Sequence, residues 1–141
     1  MKEPLLICMV GLPQSGKSTW ARSQGLPIVN PDAIRLALHG EAYIPQAEPM
    51  VWVLAKYMVT ALFLAGHGAV ILDATNTTRK RRDDWISDNW ETVFKLIDES
   101  AGVCIQRAEQ SGNVALVTVI EKMKEHFEKL GGDETLWKYQ W

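Results

Sequence analysis

Gly11-Leu12-Pro13-Gln14-Ser15-Gly16-Lys17-Ser18 matches the pattern G-x-x-x-x-G-K-[ST] at every fixed position. An apolar run, Leu5-Leu6-Ile7-Cys8-Met9-Val10, leads directly into it and reads as a buried parallel strand. Thr19-Trp20-Ala21-Arg22 follows and can open a helix. Strand, loop and helix in that order are the context a phosphate-binding loop requires. Glycines let the backbone turn tightly and direct its N–H groups at phosphate oxygens, and the helix N-terminus adds a positive dipole end. The pattern thus assigns Gly11, Pro13, Gln14, Ser15, Gly16, Lys17, Ser18 and Thr19 to a nucleoside triphosphate such as ATP. Lys17 would reach its β- and γ-phosphates, and Ser18 would ligate Mg²⁺.

Working outward, 141 residues make a single domain the expectation. That length can bury roughly two-thirds of its unfolded surface. Hydrophobic residues at 47% and charged residues at 23% are ordinary for a soluble globular chain. The net charge of −2 argues against an overall electrostatic trap for long nucleic acid, although a short basic groove can still hold a strand end. Cys8 lies inside the first apolar run, and neither it nor Cys104 belongs to a C-x-x-C pair, so no zinc site or disulfide framework is expected. A reducing, cytoplasmic setting fits. Lys2 precedes only a short apolar run, unlike a signal peptide. Val51 to Ala65 is apolar but interrupted by Lys56 and reads as too short to span a bilayer.

Strand and helix signals alternate along the chain. Pro27-Ile28-Val29 reads as a second strand. Asn30 caps the next helix, with Pro31 at its first position, and that helix ends near His39-Gly40. A long helix runs from Glu48 to Ala65. Ala69 to Asp73 is a third strand, followed by polar turn chemistry and a helix over about 78–89. Thr92 to Ile97 is a fourth strand. A helix around Val103 to Gln110 follows, and a last helix carries Val117, Ile120, Met123, Phe127 and Leu130 on one face. This order predicts an α/β phosphate-loop (P-loop) NTPase or kinase fold: a parallel sheet of four to five strands with helices on both faces. Ligands then bind at the carboxyl ends of the strands, where the phosphate loop, Asn30-Pro31-Asp32 and Asp73-Ala74-Thr75-Asn76 should converge.

On that rim Asp32 and Arg35 are three apart on one helix face. A carboxylate can orient an acceptor hydroxyl and take its proton, and a guanidinium fork can hold an acceptor's own phosphate. Asp73 ends an apolar strand, as does the second acidic residue of phosphate-loop enzymes, which holds Mg²⁺ or its water shell. Thr75 and Asn76 either join the site or cap the following helix. Arg79-Lys80-Arg81-Arg82 places positive charge at a helix start, against the dipole, and either meets a negative partner or is balanced by Asp83 and Asp84. Arg107 opens a candidate lid over about 103–113. The three histidines form no ligand spacing. Trp52 and Trp85 read as core or groove lining. Trp137, Tyr139 and Trp141 make an aromatic tail, within 133–141, that either packs back or joins a second copy.

Together these residues resemble the bacteriophage-type polynucleotide 5′-hydroxyl kinases, within a wider AAA-type group of small phosphate-loop kinases. The resemblance covers nearly the whole chain as a stand-alone kinase domain. Asn30-Pro31-Asp32-Ala33-Ile34-Arg35 is similar to the family's N-x-D-x-x-R element. The resemblance implies a kinase, with Asp32 as general base and Arg35 as ligand of the acceptor phosphate. Asp73 to Asn76 resembles the D-x-N element with one extra residue, Ala74, and Arg81, Arg82 and Trp85 resemble an R-R-x-x-W helix. Arg107 matches the first of two lid arginines, and Ser111 stands at the second. The resemblance implies ATP, Mg²⁺ and a 5′-hydroxyl nucleic-acid or nucleotide acceptor. A kinase for a small alcohol and a non-catalytic nucleotide switch are the competing expectations, and Ser111 suits the last of these.

Overall fold

The computed structural model describes residues 3–40 and 43–138. Lys2, Tyr139 and Trp141 lie outside them. Four strands, β1 (Leu5–Val10), β2 (Ile28–Val29), β3 (Ala69–Leu72) and β4 (Glu91–Leu96), form one sheet in the order β2-β3-β1-β4. Every pairing is parallel. Parallel strands require crossovers, and helices supply them: α1 (Lys17–Ser23) and α2 (Pro31–His39), α3 (Glu48–Leu64), α4 (Arg79–Asp83), then α5 (Ala101–Gln110) and α6 (Val114–Glu125) after β4.

Central β1 is apolar throughout because both of its faces are covered. Leu6, Cys8 and Val10 join Val70, Leu72 and Phe94 on one face, under Ile34 of α2, Val51, Ala55 and Val59 of α3, and Trp85. Ile7 and Met9 join Ile71 and Val93 on the other, under Ala21 and Trp20 of α1 and Trp137 of the aromatic tail. Trp137 therefore packs back onto the sheet. Its N–H donates to the Phe94 carbonyl at 2.8 Å, and the Phe94 N–H donates to Thr135 at 2.9 Å. The tail thus adds a single parallel bridge, Phe94 to Leu136, at the free edge of β4. The α5–α6 pair closes a third cluster, in which Cys104, Ala108 and Ile120 pack with Leu12 of the phosphate loop.

Three local expectations need correction. The helix expected over 78–89 is only Arg79–Asp83, because Trp85 turns into the core and donates no surface for a longer amphipathic helix; a bridge between Ser87 and Trp90 follows. The last helix stops at Glu125, and Phe127 and Leu130 reach the core from the segment beyond it. A 3₁₀ turn, Pro45–Ala47, runs straight into α3, so Pro45–Leu64 is 20 residues and holds an 18-residue stretch with a mean hydropathy of 1.3. By length and composition that is enough to cross a bilayer, yet Val51, Ala55 and Val59 are buried against the sheet.

Arg82 is fully buried. Its Nε and Nη2 donate to Glu134 at 2.7 and 3.2 Å, and its Nη1 donates to the Asn76 carbonyl at 3.0 Å. It ties the loop after β3 to the tail. Burial pushes the Glu134 carboxyl up, but bonds from Arg82 and the Gly131 N–H, with the charges of Arg82 and Arg79, hold it below its usual value. Glu134→Ala is expected to cost about 3–5 kcal/mol of stability in denaturant titrations, because Arg82 stays buried without its counter-charge. The depressed Glu134 contributes stability above its unfolded pKa of about 4.5 and loses it as pH falls through the lower folded value. Glu134→Gln should therefore flatten that acid limb.

Candidate active site

The loop between β1 and α1 needs its glycines. At Gly16 φ is 105°, a left-handed conformation that side chains rarely adopt. At Gly11 an added Cβ would lie 2.9 Å from Ser15 Oγ and 3.0 Å from the backbone oxygen of Ile97. Two contacts hold the loop's base. The Gly11 N–H donates to the Thr75 carbonyl at 3.0 Å, and the amide of Asn76 donates to the Met9 carbonyl at 2.9 Å. Thr75 and Asn76 thus brace the loop; the helix cap is Thr78, which accepts from the Arg81 N–H.

Lys17 is buried and its ammonium donates to the Leu12 carbonyl at 2.7 Å, curled over the loop. Burial pushes its pKa down, against the pull of the Asp73 and Asp32 charges. Ser18 donates to Asp73 Oδ2 at 2.6 Å, and the Asn30 amide donates to the same oxygen at 3.3 Å. Asn30 Oδ1 also accepts from the backbone N–H groups of Asp32 and Ala33, so one side chain caps α2 and reaches the end of β3. That second contact had no signal in the sequence.

Arg107, carried by α5, donates to the Gln14 carbonyl at 2.9 Å. With Gln14 through Trp20 and Ser23 it lines an open cavity of about 770 Å³. The candidate lid arginine therefore stands at the loop from 93 residues away. Ser111 ends α5 as its C-cap, and its hydroxyl donates to Ala108.

On the opposite side, Asp32 is exposed and pairs with Arg35 Nη1 at 2.7 Å. Arg35 turns its Nε and Nη2 to Glu48, at 2.9 and 2.6 Å. The Glu48 bonds are the main cause that raises the Arg35 pKa. Sequence reasoning missed Glu48. Its only sequence signal is an acid in the first turn of α3, and no spacing rule links it to Arg35. Three of Arg35's five N–H donors are engaged, which leaves two. Half of the basic run is neutralised by acids: Arg79 pairs with Asp83 and Asp133, and Arg82 pairs with Glu134.

A triphosphate with Mg²⁺ fits these residues. Ser15 Oγ is buried without a hydrogen-bond partner inside the loop, an orphan that a phosphate oxygen would satisfy. Ser18 and Asp73 together present a hydroxyl and a carboxylate oxygen, hard donors suited to Mg²⁺, which is typically bound through few protein ligands plus phosphates. No cluster of three or more His, Cys, Asp or Glu that would form a self-contained metal cage occurs among the described residues.

Fold and site together define a P-loop kinase-like protein. The chain belongs to the AAA_33 family, described as an AAA domain, which matches residues 6–130. Among solved structures it is similar to a chain of the Pnkp1/Rnl/Hen1 complex, with 31% identity and a TM-score of 0.67, covering 76% of this chain and 40% of that one. A chain of the Pnkp1/Rnl/Hen1 RNA repair complex is 28% identical with a TM-score of 0.65, covering 91% and 47%. This chain thus spans less than half the length of either. A gluconokinase from Sinorhizobium meliloti 1021 shares the fold at 20% identity and a TM-score of 0.61, covering 96% and 82%. No curated protein sequence matches.

Gly11→Ala is expected to weaken binding of a non-hydrolysable ATP analogue by about one to two decades, the equivalent of a 1–3 kcal/mol overpacking strain placed in the loop. Isothermal titration would measure it. An unchanged affinity would show that the loop does not cradle the nucleotide.

Proposed function

We propose that the chain is an ATP- and Mg²⁺-dependent kinase that transfers the γ-phosphoryl group to a hydroxyl, the 5′-hydroxyl of a nucleic acid or nucleotide. The observation that carries this reading is the exposed Asp32 carboxylate, paired with Arg35 and set at the start of α2 by Asn30, whose amide also bonds the Asp73 oxygen that Ser18 of the loop bonds. A kinase needs that juxtaposition: a carboxylate to orient the acceptor hydroxyl and accept its proton, facing the groups that hold the donor phosphates.

The residues divide the work. The loop from Gly11 to Thr19 binds the triphosphate, and Lys17 neutralises its terminal charge. Ser18 and Asp73 hold Mg²⁺, which when bound spreads the negative charge of the phosphates. Asp32 takes the acceptor proton at a carboxylate oxygen. Arg35 spends its remaining donors on the acceptor phosphate, with Glu48 fixing the guanidinium plane. Arg107 stabilises charge on the transferring group from the lid. The similarity to chains of the Pnkp1/Rnl/Hen1 RNA repair complex supports a nucleic-acid acceptor. A small-alcohol kinase is the second reading, favoured by Glu48, which already occupies two of Arg35's donors.

Transfer from γ-labelled ATP to a panel of 5′-hydroxyl DNA, 5′-hydroxyl RNA, nucleoside 3′-phosphates and small polyols separates these readings. Labelled nucleic acid is the expected product; label on polyols alone would establish the second reading. Asp32→Asn should lower turnover about 10²–10⁴-fold and leave ATP affinity in place. A parallel loss of ATP affinity would make Asp32 a ligand of the nucleotide instead of the base.

A further inference from the structure

Two cations beside the Asp32–Arg35 pair have no carboxylate within salt-bridge distance among the described residues: Arg81 and Lys56. Both are exposed, and both are held over indoles. The Arg81 guanidinium lies 4.5 Å from the centre of the Trp52 ring, and the Lys56 ammonium lies 5.7 Å from that of Trp85. The Arg35 guanidinium also reaches Trp52, at 5.7 Å. The two indoles meet edge-on at 6.4 Å. The buried Nε1–H of Trp52 has no acceptor among the described residues. Arg35 and Arg81 thus share the Trp52 ring, and Lys56 lies over Trp85, the indole that ring meets.

Arg81 is the one arginine of the basic run without an acidic partner among the described residues. Cation–π contact positions a guanidinium and leaves its N–H edge free to donate. A cation so placed, next to a residue proposed to hold one acceptor phosphate, is suited to the next phosphate along a strand. We propose that Arg81, supported by Trp52 and followed by Lys56, forms an outer phosphate station that engages the acceptor strand beyond its reacting nucleoside and makes the protein prefer oligonucleotides to mononucleotides. This rests on the kinase reading given above. It assigns a role to residues that the reading leaves idle.

The test compares wild type with Arg81→Gln, Lys56→Gln and the double variant. The Arg81 and Lys56 side chains are exposed, and the α4 cap uses the Arg81 backbone N–H, so these variants keep the fold. First, KM is measured for a 5′-hydroxyl nucleoside 3′-phosphate and for 5′-hydroxyl oligomers of increasing length. In wild type KM should fall with length, and Arg81→Gln should shrink that gain roughly tenfold to a hundredfold, with the loss in KM and not in kcat. Second, binding of a fluorescent 5′-hydroxyl oligonucleotide is measured against salt by anisotropy. Each cation removed should make the log–log slope shallower by about 0.7. Equal length gains and equal slopes in all four proteins would overturn the station, as would a wild type that neither binds the oligonucleotide nor gains with length. If no 5′-hydroxyl acceptor is phosphorylated, the kinase reading falls, while the salt slopes still decide the station.

Discussion

One carboxylate oxygen organises the rim of this sheet. Asp73 Oδ2 accepts from Ser18 at the start of α1 and from Asn30 at the start of α2. Asp73 is buried, and a buried carboxylate without donors is costly, so these bonds are obligatory and not ornamental. Through them the ends of β1, β2 and β3 are held in one constellation. Asn30 passes the constraint on by capping α2, which sets the position of Asp32 and Arg35. The phosphate loop and the candidate acceptor residues are thereby coupled through a single group.

The two sides of that rim differ in electrostatic character. On the phosphate-loop side, residues Gln14 to Trp20, a buried lysine among them, and Arg107 surround an open cavity. On the α2 side, Arg35 is gripped by Asp32, Glu48 and Trp52 at once. A guanidinium held on three sides has lost its rotamer freedom before any ligand arrives, which lowers the entropic cost of recognition. The net charge of −2 conceals this arrangement. Acids cancel the structural arginines Arg79 and Arg82, while Arg81 and Lys56 lie over the adjoining indoles of Trp52 and Trp85.

The α5–α6 pair and the tail each tie a distant part of the chain to the sheet and its loop. Helices α5 and α6 pack on Leu12 and deliver Arg107 to the Gln14 carbonyl. The tail is held by Arg82 and Glu134 and lays Trp137 on the sheet face that α1 leaves partly open. Arg82 also bonds the Asn76 carbonyl, whose own amide supports Met9 at the base of the phosphate loop. Stability of the tail and geometry of the loop therefore share residues.

What the sequence determined by itself was whatever depends on local chemistry: the glycine-lysine-serine loop, the unalternating strands, the Asn30 cap with Pro31 behind it, and hence the parallel fold and the place of its site. Asp32 with Arg35 and Asp73 with Ser18 were legible because a parallel sheet brings its strand ends to one rim, whereas Arg107 was marked only by its place after the fourth strand and by the family resemblance. The short α4, the inward turn of Trp85 and the partners of the basic run were not legible, since local charge pattern cannot show which arginine enters the core. Only the tertiary structure decided that Glu48 holds Arg35, that Glu134 neutralises Arg82 across 52 residues, and that Arg81 rests on Trp52. These pairings join side chains from separate elements, and their energies depend on burial and distance, quantities that exist only once the chain has folded.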